Sequence, residues 1–193
     1  MNLRLFCLGA LCAVVSVSAC NYSTTNYTAQ TPTFVDTLTV YALSGSAPSL
    51  PNGLDIFTRQ PVRVDGFGAF DIAFDIVSPT QVRILPVRLV VSSPSGMRLV
   101  GLAHSPGTFE QLLNAPSGGY QTDSSVVLAV GDLMVIQTTR ALLGEYCQLA
   151  ISPYLYAKLA ILSIDVSTRL IQFQLGSDPN CGFRSFRPGI PTS

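Results

Sequence analysis

Alternation of apolar and polar residues with a period of two runs through this chain, and it restricts the fold more than any other feature. In Ala69-Phe70-Asp71-Ile72-Ala73-Phe74-Asp75-Ile76, Phe70, Ile72, Phe74 and Ile76 point one way, while Asp71, Ala73 and Asp75 point the other. In 34–43, Leu38, Val40 and Ala42 share one face and Thr37, Thr39 and Tyr41 the opposite one. A helix would place such residues on every side, whereas a half-buried strand sorts them into a core face and a solvent face. Further strand-like runs occupy 60–64, 81–91, 97–104, 126–130, 133–139, 147–151, 156–164 and 169–175. Gly and Pro punctuate them at Pro51-Asn52-Gly53, Asp65-Gly66, Ser78-Pro79, Pro94-Ser95-Gly96, Ser117-Gly118-Gly119 and Gly131-Asp132. Gly131-Asp132 between two apolar runs has the form of a two-residue hairpin. Only 108–114, with Pro116 after it, reads as a short helix. An all-β chain of about 8–10 strands follows, an antiparallel β-sandwich (Ig-like or similar) or a small barrel.

One hairpin can be specified to the residue. Residues 69–77 and 81–91 are joined by Ser78-Pro79-Thr80, and pairing Val77 with Gln81 sets Ile76 opposite Val82, Phe74 opposite Ile84 and Asp75 opposite Arg83. The apolar set then changes parity, from Val82 and Ile84 to Val87, Leu89 and Val91, so a β-bulge is expected at Pro86. Beyond it Asp71 should face Arg88 on the outer surface.

The first nineteen residues stand apart. Met1-Asn2-Leu3-Arg4 carries a positive charge, an apolar run extends from Leu5 to Val17, and small residues precede Cys20. The run is shorter than the roughly 20 apolar residues that span a bilayer, which marks a removable export signal. Val17-Ser18-Ala19-Cys20 resembles the lipobox of bacterial lipoprotein precursors. The resemblance covers about a tenth of the chain and implies that Cys20 is acylated, with cleavage before it. It also implies a partner, the lipid bilayer, and a place in the cell envelope. Asn21 follows the cysteine where, in that family, an aspartate directs inner-membrane retention; its absence favours the outer membrane, on the periplasmic or surface face. The organisation expected is a signal at 1–19, lipidated Cys20 with a tether over 20–33, and a single domain over 34–193. The tether is uncharged and rich in Asn, Ser, Thr and Tyr.

Of five cysteines, Cys7 and Cys12 leave with the signal and Cys20 takes lipid. Cys147 and Cys181 remain, an even number in an oxidising compartment, and read as one disulfide. Two thiolates with a single histidine do not complete a zinc site.

Eleven basic residues balance eleven acidic ones, and charged residues are only 11% of the chain. That is no footprint for neutralising phosphates along a nucleic acid. Candidate chemistry is sparse. His104 followed by Ser105 lacks any Gly-x-Ser-x-Gly elbow and reads as an ordinary strand-end histidine. Lys158, the only lysine, interrupts an apolar run and reads as an edge guard or a snorkelling surface residue. Asp65, Asp71 and Asp75 form a weak candidate calcium set whose spacing does not match an EF-hand loop. Phe183, Arg184, Phe186 and Arg187 interleave aromatics with arginines, which suits a binding patch. They equally suit a tail that covers the open end of a sandwich, pinned by the disulfide. No catalytic group or cofactor motif emerges. The sequence points to a non-catalytic, membrane-anchored binding or scaffolding module with a protein partner at the envelope. An accessory subunit of a membrane complex and a carboxylate-dependent hydrolase are the alternatives.

Overall fold

The computed structural model describes residues 28–64, 70–91, 98–139, 147 and 152–192. Their strands are β1 (Phe34–Tyr41), β2 (Gly53–Asp55), β3 (Gln60–Val62), β4 (Ile72–Ser78), β5 (Gln81–Pro86), β6 (Val100–Ser105), β7 (Val126–Ala129), β8 (Leu133–Thr139), β9 (Tyr154–Asp165) and β10 (Leu170–Asp178). They form two five-stranded sheets, ordered β1-β10-β9-β8-β6 and β3-β2-β4-β5-β7, with every pairing antiparallel. The sheets do not close on one another. Of the two architectures the alternation admits, the chain adopts the sandwich.

The inner faces meet in one apolar core. Val40, Leu159, Ile161, Ile171, Phe173, Met134, Ile136 and Leu102 come from the first sheet, and Leu54, Ile72, Phe74, Val82, Ile84 and Leu128 from the second. Phe74 and Phe173 stack across the gap with ring centroids 4.9 Å apart and planes inclined by 21°. Offset stacking of this kind adds to the gain from burying the rings.

The β4–β5 hairpin has the expected core of its register: Ile76 opposite Val82, Asp75 opposite Arg83 and Phe74 opposite Ile84. Its two ends differ from expectation. Gln81 pairs with Ser78, so the extra residue is Val77, in a bulge beside the turn. At the other end no bulge forms at Pro86. The strand stops there and Val87–Leu89 wind into a 3-10 turn, which absorbs the parity change because a helical residue has no obligation to alternate. The outward Arg88 then pairs with Asp123, not Asp71.

Three other readings are corrected. Gly131-Asp132 joins β7 of the second sheet to β8 of the first, so it is a crossing between sheets and not a hairpin. Gly131 takes φ 90°, a left-handed conformation that favours glycine. Asp132 Oδ2 accepts the Ala129 amide at 2.8 Å, and the Gly131 amide donates to Ile161 O at 2.8 Å. Local turn chemistry is the same whichever sheet the chain enters next. Gly53, placed in a turn by its Pro and Asn neighbours, begins the short β2, wholly buried between β3 and β4. Residues 108–114 make a single turn. Thr108 and Gln111 exchange side-chain and backbone hydrogen bonds as a capping box does, but Asn114 already bridges to Ser185 and ends the helix. The strand read at 147–151 lies outside the described residues except for Cys147.

Candidate functional site

The two sheets have different outer faces. That of the first is covered over its β6–β8–β9 half by the β6–β7 connection and by the chain after β10. Phe109, Leu112, Ala115, Tyr120 and Phe186 pack there onto Leu133, Val135, Tyr156 and Ala160. Two glycines let the cover approach. A Cβ on Gly101 would come within 2.7 Å of Tyr120 Cβ, and one on Gly176 within 2.9 Å of Lys158 Cε.

Beneath this cover lie several titratable side chains. Lys158 stands on β9, opposite Gly176 of β10 and Val135 of β8. It is only 3% exposed and donates from Nζ to the carbonyls of Phe109 and Leu112, the latter at 3.0 Å. Its ammonium is 4.1 Å from the Phe109 ring centroid and 5.6 Å from that of Phe186. Burial pulls its pKa below the usual lysine value, against the opposing pull of Glu110. The edge-guard reading is therefore corrected. β9 is interior to its sheet, and the lysine holds the carbonyls at the end of the 108–112 turn, groups that any helical turn leaves without partners. Tyr120 and Tyr156 lie with ring centroids 6.2 Å apart, and burial raises both hydroxyl pKa values.

Asp178 ends β10 opposite Tyr156 and is 1% exposed. Its Oδ1 accepts the Asn180 amide at 2.9 Å and Asn180 Nδ2 at 2.7 Å, while Oδ2 is buried with no hydrogen-bond partner. Burial raises its pKa to about 6 against those two bonds. Asn180 in turn clamps the N-terminal segment: its Oδ1 accepts the amides of Gln30 and Thr31 at 3.0 and 3.1 Å, and its Nδ2 donates to Thr31 O at 2.7 Å.

The Cys147–Cys181 disulfide is present, with Cα atoms 5.6 Å apart, inside the usual range. It fixes the start of the C-terminal tail. The tail then lies over the outer face of the first sheet rather than over the open end of the sandwich. The Ala115 amide donates to Arg184 O and the Phe186 amide to Leu113 O. Of the four patch residues, Phe186 is buried at 4%, Phe183 is half-buried, and Arg184 and Arg187 are exposed. The aromatics and the arginines thus divide between holding the tail and facing solvent. Beside Arg187 opens a cleft of about 290 Å³, lined also by Asn114, Ser185, Pro188, Ile190 and Pro191.

A second polar cluster joins the sheets at one end. Arg98 donates to Asp71 Oδ2 at 2.8 Å and to Asp55 Oδ2 at 2.9 Å. Asp71, completely buried, also accepts the Ile56 amide at 2.6 Å and the Thr138 hydroxyl at 2.6 Å. Burial raises the Asp71 pKa beyond what Arg98, Thr138 and the Ile56 amide recover. At Asp55 burial acts in the same direction, but the Arg98 and Thr58 hydrogen bonds outweigh it and leave the pKa low. Asp71 precedes β4, so strand alternation does not bind it, and it turns between the sheets instead of outward.

The remaining candidates scatter. Asp75 accepts from Ser44 and lies 3.4 Å from Arg169 rather than meeting the side chain of Arg83. Asp71 and Asp75 thus have separate partners, Asp65 lies outside the described residues, and no group of three or more potential metal ligands is found among the described residues. His104 is exposed, with Nε2 3.8 Å from Asp132 Oδ2, and Ser105 directs its hydroxyl to Pro106 O. Cys20 and its preceding signal lie outside the described residues. Sequence reasoning missed Arg98, Asp178 and Asn180. Only the Asp178-Pro179-Asn180 turn composition could have marked the last two. No protein-family model matches the chain, and neither a curated protein nor a solved structure shows significant similarity to it.

Proposed function

We propose that this chain is a lipid-anchored protein of the cell envelope, held by acylated Cys20, whose sandwich is a non-catalytic binding or scaffolding module. The observation that carries this reading is the order of a short charged start, an apolar run and Val17-Ser18-Ala19-Cys20, directly followed by an uncharged segment. The disulfide supports it, because a bridge of this kind persists in oxidising compartments. The engagement of the reactive side chains supports the non-catalytic part. Lys158 is enclosed by carbonyls and aromatic rings, and both oxygens of Asp71 are occupied. A hydrolase working through carboxylates would draw on Asp55 and Asp71, whose pKa values are displaced in opposite directions, but Asp71 has no access to solvent.

The test is processing in cells that export the protein. The mature chain should begin at Cys20, partition into detergent and label with a palmitate analogue, and Cys20→Ser should abolish the label. An intact mass that still contains residues 1–19 in native membranes would overturn the anchor. Crosslinking and affinity purification from the same membranes separates a scaffold, which returns a stoichiometric protein partner, from a free-standing module.

A further inference from the structure

We propose that the surface formed by the C-terminal tail, with Arg184, Arg187 and Ile190, rests on the phospholipid headgroups of the membrane that anchors the chain, Arg187 and its cleft taking a lipid phosphate. This inference rests on the lipid anchor proposed above. Its first support is the point at which the N-terminal chain joins the domain. Asn180 holds the backbone of Gln30 and Thr31, and Thr33 donates from its amide to Gly189 O at 3.0 Å and from its hydroxyl to Arg187 O at 2.7 Å. The segment that leads to Cys20 therefore issues from the tail surface itself. Ten residue steps separate Cys20 from Gln30 in the clamp. Fully extended, that length reaches at most about 36 Å. A domain of this size has a radius near 20 Å, so a path half-way round it is roughly 60 Å. The opposite side of the domain is out of reach of the bilayer while the clamp holds.

The second support is charge. Arg59, Arg88, Arg98 and Arg169 each pair with an aspartate. Arg63, Arg83, Arg184 and Arg187 are exposed with no ion pair among the described residues, and of these Arg184 and Arg187 stand close together in the tail that Thr33 joins. The third is Ile190, 56% exposed beside Arg187 on the rim of a cleft with Asn114 and Ser185 in its lining. Cation, hydrogen-bonding groups and an apolar residue in one place match a headgroup phosphate with acyl carbon beneath it. Net neutrality leaves the chain no electrostatic hold of its own on a membrane. The anchor supplies that hold, and at the millimolar effective concentration of a short tether a weak contact is enough to orient the domain.

The chain contains no tryptophan, so a single one reports position. Acylated full-length protein carrying Ile190→Trp is reconstituted into phosphatidylethanolamine–phosphatidylglycerol vesicles with and without brominated acyl chains. Val127→Trp, on an exposed β7 position opposite the unpaired Arg83 of the second sheet, is the control. Thr192→Trp is the alternative reporter should the first variant fold poorly. Brominated lipid should quench the tail reporter by at least twofold and leave the control unchanged. Adding Arg184→Gln and Arg187→Gln should remove most of that quenching. Equal quenching of both reporters, or none at the tail in an acylated protein, overturns the docking and leaves the anchor standing. A mass without acyl chains overturns both.

Discussion

Asp178 is a carboxylate buried with one oxygen unpartnered, and that makes it a measurable pH-dependent element. Its folded pKa is about 6, above the ordinary 3.8, because burial disfavours the charged form. The folded chain therefore keeps its proton between about pH 4 and pH 6 while the unfolded chain has lost it. The contribution of Asp178 to stability falls as pH rises through that window and stays low above it. The effect is at most about 3 kcal/mol. Asp178→Asn should flatten the difference and raise the midpoint of urea unfolding at pH 7.5, with little change at pH 4. A variant less stable than wild type at both pH values would contradict this. Arg98 presents the opposite case. Arg98→Met leaves Asp71 buried without its cation, and unfolding should become easier by about 3–5 kcal/mol at neutral pH. Part of the loss should return at acid pH, where protonation relieves the carboxylates left without Arg98; denaturant melts at pH 7 and pH 4 would show it.

Among the elements, the C-terminal tail is the one least able to stand alone. Its attachment comes from backbone bonds to Thr33, Leu113, Ala115 and Tyr154, from Phe186 over Lys158, and from the disulfide. Cys147 and Cys181 are 34 residues apart, so closing that loop restricts the unfolded chain by about 3–4 kcal/mol in the entropy model. The Cys147→Ser, Cys181→Ser double variant should lose that much in a chemical melt, and protease should cut first within 181–192. Uniform protection of the tail in the variant would show that Phe186 and the 113–115 pairing hold it without help. The β9–β10 hairpin needs no such device. Its turn is built on Asp165, which accepts the Ser167 and Thr168 amides and the Ser167 hydroxyl, bonds that lower its pKa to about 2.

At the scale of the molecule, the sandwich is held by contact between sheets that share no backbone ladder. Phe173 is completely buried, and its ring stacks on Phe74 of the opposite sheet. Phe173→Ala should open a cavity at the centre and cost about 3–5 kcal/mol, read as a fall in denaturation midpoint with an unchanged slope. A cost below about 1 kcal/mol would mean that the sheets slide together and refill the space. The polar links sit elsewhere. Arg98, Asp55, Asp71 and Thr138 tie the sheets at one end, while Asp75, Ser44 and Arg169 join two loops to β4.

The chain's residues by themselves determined that the fold is all-β, which faces of β1, β4 and β5 turn inward, how Phe74, Asp75 and Ile76 pair with β5, and that Cys147 meets Cys181. These follow from alternation, short loops and cysteine arithmetic, all of which act locally or by elimination. Which sheet each strand joined, and what covers each outer face, only the tertiary structure decided. Gly131-Asp132 turns the chain equally well into a hairpin or across the sandwich. Lys158 looks exposed in sequence because alternation assigns a side but cannot say whether distant segments, here Phe109 and Phe186, lie over it. Asp71 and Asp178 are legible only as carboxylates. Packing buries both and raises their pKa values, against the lowering pull of Arg98 and Thr138 at Asp71 and of Asn180 at Asp178, and for Asp71 those contacts come from residues remote in the chain. Such contacts depend on packing, whose energy is shared among residues that no short window of sequence contains.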